Sequence, residues 1–439
     1  MVFLYNSGIK ILYAIARLSA FFGNRKVRKW LAGQRGIFPA LEKLPPGPGR
    51  TIWFHFASLG EFEQGRPVLE RIKKKQPGQA IVVSFFSPSG YEIRKNYPLA
   101  DLITYLPLDT PENARRFIAH INPSCAIFTK YEYWFHFYRE LKRQEVPLFV
   151  ISAIFRKDQL FFKWYGRFFR KILACVSRFF VQNEESRELL ASIGLTNAIV
   201  SGDTRYDRVY ENGKAPQSFP EIARFCGDSP CLVAGSTWPQ EEEMLAAYLK
   251  SNRDLPANRT WKYIIAPHEV TEDHLRTILA LFGKDAVCYS EWINNSQMVA
   301  PDVLVIDRIG MLSSVYRYGH VALIGGGFGK GIHSILEAAV FGMPVLFGPN
   351  YKKFSEAHEL IKAGCAFPVS NAEEFIARLG WLQNDEEFRR KAAEAAEKTV
   401  LQNRGATSLI LKSIRLWPTA AERPEPPEGT EPPETPGAI

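Results

Sequence analysis

The residues best suited to chemistry lie in a glycine-rich run, Ile324 to Asn350, which reads IGGGFGKGIHSILEAAVFGMPVLFGPN. Its apolar start, Val321 to Ile324, predicts a strand; three glycines predict a turn, and Gly329-Lys330-Gly331 a loop. A helix is expected from Ser334 to Gly342 and a second strand over Pro344 to Phe347. In such a βαβ unit, glycines let the backbone approach a ligand, and a helix N-terminus offers unpaired N–H groups and partial positive charge that suit a phosphate. Glu337, one turn into that helix beside His333 and Ser334, can reach a ribose. A purely structural crossover is the alternative. A second carboxylate, Glu61, follows the predicted first strand in HFASLGEFEQG, where the carboxyl end of a strand points into the ligand crevice of such a sheet. The same place suits a charge that only balances a helix end.

Those side chains need a scaffold, and composition bounds it. With 439 residues, 46% hydrophobic and 13% aromatic, the chain is long enough for two ordinary domains. A net charge of +9 points to an anionic partner: nucleic acid, an acidic membrane surface or a phosphorylated substrate. The cysteines Cys125, Cys175, Cys226, Cys231, Cys288 and Cys365 are scattered, mostly in apolar runs, and read as reduced residues of a cytosol-facing protein. Neither Asp-x-Asp nor His-Glu-x-x-His occurs, so no metal-ligand set is visible and none is expected.

Residues 1–40 begin with an apolar, aromatic stretch (Met1 to Phe22) interrupted by Lys10 and Arg17 and followed by Arg25, Lys26, Arg28 and Lys29. The charge order is the reverse of a cleaved signal peptide, and the internal cations oppose a full span. A helix lying on an anionic membrane surface fits better than an ordinary helix packed on a domain. From Thr51, short apolar runs alternate with helical segments, implying a buried parallel sheet over residues 41–210. Glu211 to Pro220, with Gly213, Pro216 and Pro220, reads as a linker, and a second such series fills 221–417, closed by a helical segment Asp385 to Leu416. Residues 418–439 are rich in proline and glutamate and are expected to be disordered. Two doubly wound Rossmann-like domains with a nucleotide motif in the second is the α/β layout called GT-B, whose active site is the interdomain cleft.

Phe155 to Phe180 sets Phe161, Tyr165, Phe168, Ile172 and Val176 at helical spacing beside Lys163, Arg167, Arg170 and Lys171. The apolar face is too continuous for nucleic acid and reads as a surface for an acylated, phosphorylated glycolipid, or as a core helix with a solvated basic edge.

Several segments together resemble the 3-deoxy-D-manno-octulosonic acid (Kdo) transferases of lipopolysaccharide core biosynthesis. Gly-Gly, a loop, His-Asn-x-Leu-Glu and Gly-x-Pro-Val is that family's donor-nucleotide motif, with Ser334 replacing its asparagine here. Ala57-Ser58-Leu59-Gly60-Glu61 resembles the motif whose glutamate is the general base. SPSGYE (Ser87 to Glu92) and YLPLD (Tyr105 to Asp109) match further family turns. KYEYWFH places Glu132, and GDTRYD places Arg205 for the family's lysine, as transition-state stabilisers. In the second half, GSTWPQEEE has Trp238 for the family's histidine, and IIAPHEV keeps His268 but has Pro267 where an arginine would contact CMP. Backbone N–H groups must then carry more of the phosphate. IDRIGML gives Ile309, Gly310 and Met311 as nucleotide neighbours, Met311 replacing a glutamate, and Ser334, Ile335, Leu336 and Glu337 complete the CMP site.

The resemblance implies an inverting, metal-independent and cofactor-free transfer of Kdo from CMP-Kdo to a lipid A precursor at the cytoplasmic face of the inner membrane. Alternatives are another GT-B enzyme, such as a sugar-nucleotide 2-epimerase, or a membrane-bound binding protein without catalysis, which would not need Glu61.

Overall fold

The computed structural model describes residues 1–42, 51–251 and 261–414. The expected tail, 418–439, lies outside the described residues. Two compact units form, the first from residues 1–204 with 405–439, the second from 205–404. The chain passes between them at Thr204 and Arg205, ahead of the stretch read as a linker. Residues up to Lys214 of that stretch end a helix, Thr204–Lys214.

The first unit carries β1 (Thr51–Phe56), β2 (Ile81–Phe85), β3 (Leu102–Tyr105), β4 (Pro123–Thr129), β5 (Leu148–Ala153), β6 (Arg178–Val181) and β7 (Ala198–Val200). They form one sheet in the order β3-β2-β1-β4-β5-β6-β7, with every pair parallel. Every residue of β1, β2 and β5 is buried, as expected where helices cover both faces. The second unit carries β8 (Cys231–Thr237), β9 (Lys262–Pro267), β10 (Ala286–Cys288), β11 (Val303–Val305), β12 (Val321–Ile324), β13 (Val345–Phe347) and β14 (Ala366–Pro368). Its order is β10-β11-β9-β8-β12-β13-β14, again parallel throughout. β14 is too short and ordinary in composition to have stood out in the sequence. In the first sheet the strand order reverses between β1 and β4; in the second it does so between β8 and β12, with β10 and β11 also exchanged at the far edge, and ligand crevices open at the carboxyl ends beside β1/β4 and β8/β12.

The chain re-enters the first unit at Gly405, whose φ of +115° suits glycine alone. The expected continuous helix from Asp385 is therefore two, Glu386–Asn403 and Ala406–Ile414. The latter buries Ile410, Leu411 and Ile414 in the core beside Ile52, Phe54 and Val83.

The N-terminal helix Val2–Phe21 is bolted to the first unit by its first two turns. Tyr5 donates its hydroxyl to Asp109 at 2.6 Å, and Asn6 faces His136 Nε2 at 2.6 Å. Asp109 also accepts the backbone N–H of Phe137 at 3.0 Å and of His136 at 3.1 Å, so one buried carboxylate caps the helix Phe135–Arg143 and anchors Tyr5. Leu4, Ile11, Ile15, Leu18 and Phe22 share the opposite face and are exposed. No helix among the described residues is long and apolar enough to cross a membrane.

The stretch 155–180 is not one helix. A single 3₁₀ turn, Leu160–Phe162, is followed by an α-helix only over Arg167–Leu173. Phe161, Phe168, Ile172 and Val176 are core residues, and Arg170 donates to the carbonyls of Phe161 at 2.8 Å and Lys163 at 2.9 Å. The break at Lys163–Gly166 leaves Trp164 90% and Tyr165 51% exposed, so the apolar face is mostly core while two aromatic side chains face out.

Tyr5→Phe is expected to cost about 1–3 kcal/mol in urea unfolding, because the buried Asp109 loses a donor. Burial raises the Asp109 carboxyl to about 6, while burial and Arg139 push His136 down to about 4. Asp109 therefore adds stability below about pH 4 that is lost as pH rises through 6, and His136 the reverse, its stability being lost as pH falls through 6.5 towards 4. Asp109→Asn removes the first of these opposing slopes. Its melting temperature should fall more steeply than that of wild type between pH 6.5 and 4.

Candidate active site

At the switch point of the first sheet, β1 delivers Glu61 and β4 delivers Glu132. Ser58 caps the helix Leu59–Lys75, and Glu61 stands in its first turn, half-buried, with its carboxylate accepting the Ser58 hydroxyl. The helix end thus accounts for part of what Glu61 does, and leaves a carboxylate oriented at the strand's carboxyl end. Glu132 is held more elaborately. Its Oε2 accepts Trp134 Nε1–H at 2.8 Å and lies 3.3 Å from His55 Nε2. His55 Nδ1 meets Ser84 Oγ at 2.8 Å, and Trp53 Nε1 donates to that same oxygen at 2.8 Å. The imidazole is wholly buried, so the chain Trp53–Ser84–His55–Glu132 fixes the carboxylate from behind. Glu132 also lines a cavity of about 590 Å³ whose walls include Tyr5, Ile9, Trp134, Arg156, Leu160 and Phe161.

In the second unit, a cavity of about 150 Å³ is lined by Ser236, Pro267, His268, Arg308, Ile309 and Gly310, among others. The structure thus brings together four of the expected nucleotide neighbours. Met311 is excluded as a side-chain contact, being buried in the core. Ile335 and Leu336 are buried as well, so only their backbone could meet a ligand.

The glycine run differs from its expected form. The helix is one turn, Leu336–Ala339, and Ser334 precedes it in a loop. The turn closes on itself: Gly331 N–H donates to Gly326 O at 3.0 Å and His333 N–H to Gly325 O at 3.1 Å, which delays helix entry. Gly326 has φ +85° and donates its N–H to Glu241 Oε1 at 2.9 Å. A Cβ on Gly327 would come within 2.4 Å of Gly348 N. These glycines therefore permit close packing of the chain against itself, and a buried carboxylate occupies an amide that the sequence assigned to phosphate. Glu241, one residue of the buried pair Glu241–Glu242, also accepts Trp238 N–H at 3.1 Å, so the carboxylate satisfies a backbone donor at the start of the helix Pro239–Ser251. In the sequence it is only one of three adjacent glutamates after a strand.

Glu337 is half-buried and already engaged. Burial raises its carboxyl, opposed by the charge of Arg208 and the Ser334 hydroxyl. Arg205 pairs with Glu356 through two contacts, Nη2 to Oε2 at 2.8 Å and Nη1 to Oε1 at 2.5 Å. That bidentate pair offsets the cation and weakens the stabilising role expected of it. Neither Arg208 nor Glu356 carried a signal in the sequence, since each pairs across a gap in the chain.

Beside the glycine turn three rings gather. Trp238 stacks on His268 with centroids 4.8 Å apart, and His268 on His333 at 4.3 Å. Among the described residues no group of three or more His, Cys, Asp and Glu side chains is arranged to hold a metal ion.

Two parallel seven-stranded sheets with their polar side chains at the carboxyl ends beside each switch point make this a protein of the GT-B class. The UDP-GlcNAc 2-epimerase from Neisseria meningitidis, bound to UDP-GlcNAc, shares that fold with a TM-score of 0.58 at 17% identity, over 83% of this chain and 99% of the other. Within the class, residues 29–208 match the family model "3-Deoxy-D-manno-octulosonic-acid transferase (kdotransferase)". The transferase of that name from Chlamydophila psittaci is 27% identical over 345 residues, 76% of this chain and 78% of its own. That of Aquifex aeolicus is 26% identical over 333 residues, 75% and 85% of the two chains. The resemblance drawn from the motifs is borne out.

Glu241→Ala should lower the stability of the protein by about 2–4 kcal/mol in urea unfolding, since two N–H groups lose a charged acceptor. Glu241→Gln keeps one accepting oxygen and should recover part of that loss.

Proposed function

We propose that the chain transfers Kdo from CMP-Kdo to an acylated, phosphorylated lipid A precursor, the tetraacyldisaccharide 4'-phosphate, by an inverting mechanism that uses no metal. The observation that carries this reading is the pair of carboxylates at the first sheet's switch point, Glu61 and Glu132, beside an apolar cavity. Glu61 takes the proton of an acceptor hydroxyl as that oxygen bonds to the anomeric carbon. CMP leaves from the opposite face with the electron pair of the broken bond, so configuration inverts. Positive charge develops on the sugar ring in such a transition state, and the fixed carboxylate of Glu132 stabilises it.

On the donor side, His268, Ile309 and Gly310 border the nucleotide, with Pro267 contributing shape and no charge. Glu337 receives the ribose hydroxyls, and Ser334 orients it. Arg205, offset by Glu356, is the weaker candidate for steadying the leaving phosphate.

For the acceptor, the cavity of about 590 Å³ offers aromatic and aliphatic walls for acyl chains and Arg156 for a phosphate. The exposed stripe Leu4, Ile11, Ile15, Leu18 and Phe22 and the outward Trp164 suit the interface of an anionic membrane, consistent with work at the cytoplasmic face of the inner membrane. A 2-epimerase shares the fold alone, whereas the relatives matched by sequence are transferases.

Incubation of the purified protein with CMP-Kdo and the tetraacyl precursor, followed by mass spectrometry of the lipid, should show addition of Kdo. An unmodified lipid beside an active reference transferase would overturn the reading. Glu61→Gln should lower turnover roughly a hundredfold or more with the donor Michaelis constant little changed. Replacing Ile11, Ile15 and Leu18 together by serine should reduce binding to anionic vesicles at least about tenfold, because three apolar side chains no longer enter the interface. Activity on detergent-dispersed acceptor should persist in that variant.

A further inference from the structure

Of the three rings gathered at the second switch point, His268 borders the donor cavity, while Trp238 and His333 are absorbed neither by the core nor by the reading above. Its members come from three strand ends: Trp238 after β8, His268 after β9 and His333 after the turn that follows β12. Each is held by its backbone. Trp238 N–H donates to Glu241 at 3.1 Å, His268 N–H to Thr237 O at 3.0 Å, and His333 N–H to Gly325 O at 3.1 Å. The rings His268 and His333 lie 26° from parallel, and Trp238 and His268 27°. Trp238 is also where this chain departs from the family's motif, in which a histidine stands.

One contact has a chemical consequence. Trp238 Nε1 lies 3.3 Å from His333 Nε2, and an indole nitrogen can only donate. His333 Nε2 must therefore present its lone pair, and a neutral imidazole then carries its proton on Nδ1. We propose that Trp238 is a positioning residue that locks His333 in the Nδ1–H tautomer, and that His333 so locked is a neutral hydrogen-bond donor to an anionic oxygen of the sugar-nucleotide donor.

Burial and the neighbouring His268 push His333 down to about 4, so the ring is neutral at working pH and its tautomer decides whether it offers a proton or a lone pair. A lone pair would repel a phosphate or carboxylate oxygen. A fixed N–H attracts one and needs no reorganisation when the ligand arrives. The need for such a donor is visible nearby. Pro267 replaces an arginine in the motif, and Gly326 N–H is taken by Glu241. His268, in contact with His333, lines the cavity of about 150 Å³.

This inference rests on the donor site proposed above, so the test has two arms. Nitrogen NMR of histidine-labelled protein without ligand should show His333 protonated at Nδ1 in wild type. In Trp238→Phe, which keeps a stacking ring and removes the N–H, the proton should redistribute towards Nε2. A wild-type His333 protonated at Nε2, or a tautomer unmoved in Trp238→Phe, overturns the lock regardless of substrate. In the second arm, Trp238→Phe should raise the Michaelis constant for CMP-Kdo roughly tenfold with kcat changed less than threefold, and Trp238→His, which can again donate, should restore much of it. An unchanged donor constant in a variant whose tautomer has moved overturns the binding role. A wild type that turns over no CMP-Kdo refutes the donor reading instead, with the spectra still deciding the lock.

Discussion

The second unit depends on where one carboxylate points. Glu241, buried at the end of β8, accepts an N–H from its own helix start and another from the glycine turn after β12. β8 and β12 are neighbours in the sheet with no sequence continuity, and their loops must be registered for anything to bind above them. A buried anion taking backbone donors from both achieves that, because leaving either donor unsatisfied would cost a sizeable part of a protein's net stability. The expense is a loss of positive potential at the turn, which the donor site proposed above would have to supply from elsewhere.

The first unit solves a related problem with a relay. A glutamate has several rotatable bonds, and the role proposed for Glu132, facing a developing cation, needs a carboxylate that does not swing. Trp134 and His55 hold Glu132 on one side, while Ser84 and Trp53 hold His55 in turn. Glu61 is tied only to the hydroxyl at its own helix cap. In the mechanism proposed, that looser tether suits a group that gains and then releases a proton, whereas the held carboxylate of Glu132 keeps its charge in place.

Much of this was readable in the sequence. The alternation of short apolar runs and helical segments from Thr51 was legible, as were the strands on either side of the glycine run, because a strand covered on both faces is a short continuous apolar run and its ends are marked by turn residues. β14, only Ala366–Pro368, has no such run. The position of Glu61 in the first turn of the helix after β1, and of Glu337 in a helix beyond the glycine turn, also followed from local pattern plus motif. The partners did not: Glu356 for Arg205 and Arg208 for Glu337 are set by packing between segments far apart in the chain. The glycine run misled for a related reason. Glycine signals close approach of something to the backbone, and the sequence does not say whether that is a ligand or, as for Gly327 against Gly348, the chain itself. The aromatic stretch 155–180 misled because core residues at helical spacing do not require a helix when a loop can deliver the same side chains.

The return of the chain at Gly405 bears on how the protein comes into being. Ile410, Leu411 and Ile414 complete the core beneath β1 and β2, so the first unit to leave the ribosome lacks part of its own interior until the last described helix is made. At about 5–20 residues per second, the gap between β1 and that helix lasts roughly 20 to 70 s. For that interval an apolar face beside the sheet stays open while an apolar N-terminal helix is already present. Whatever covers the exposed stripe of that helix early would also keep the unfinished unit away from its neighbours, so synthesis of the last helix closes the fold in the presence of that first contact.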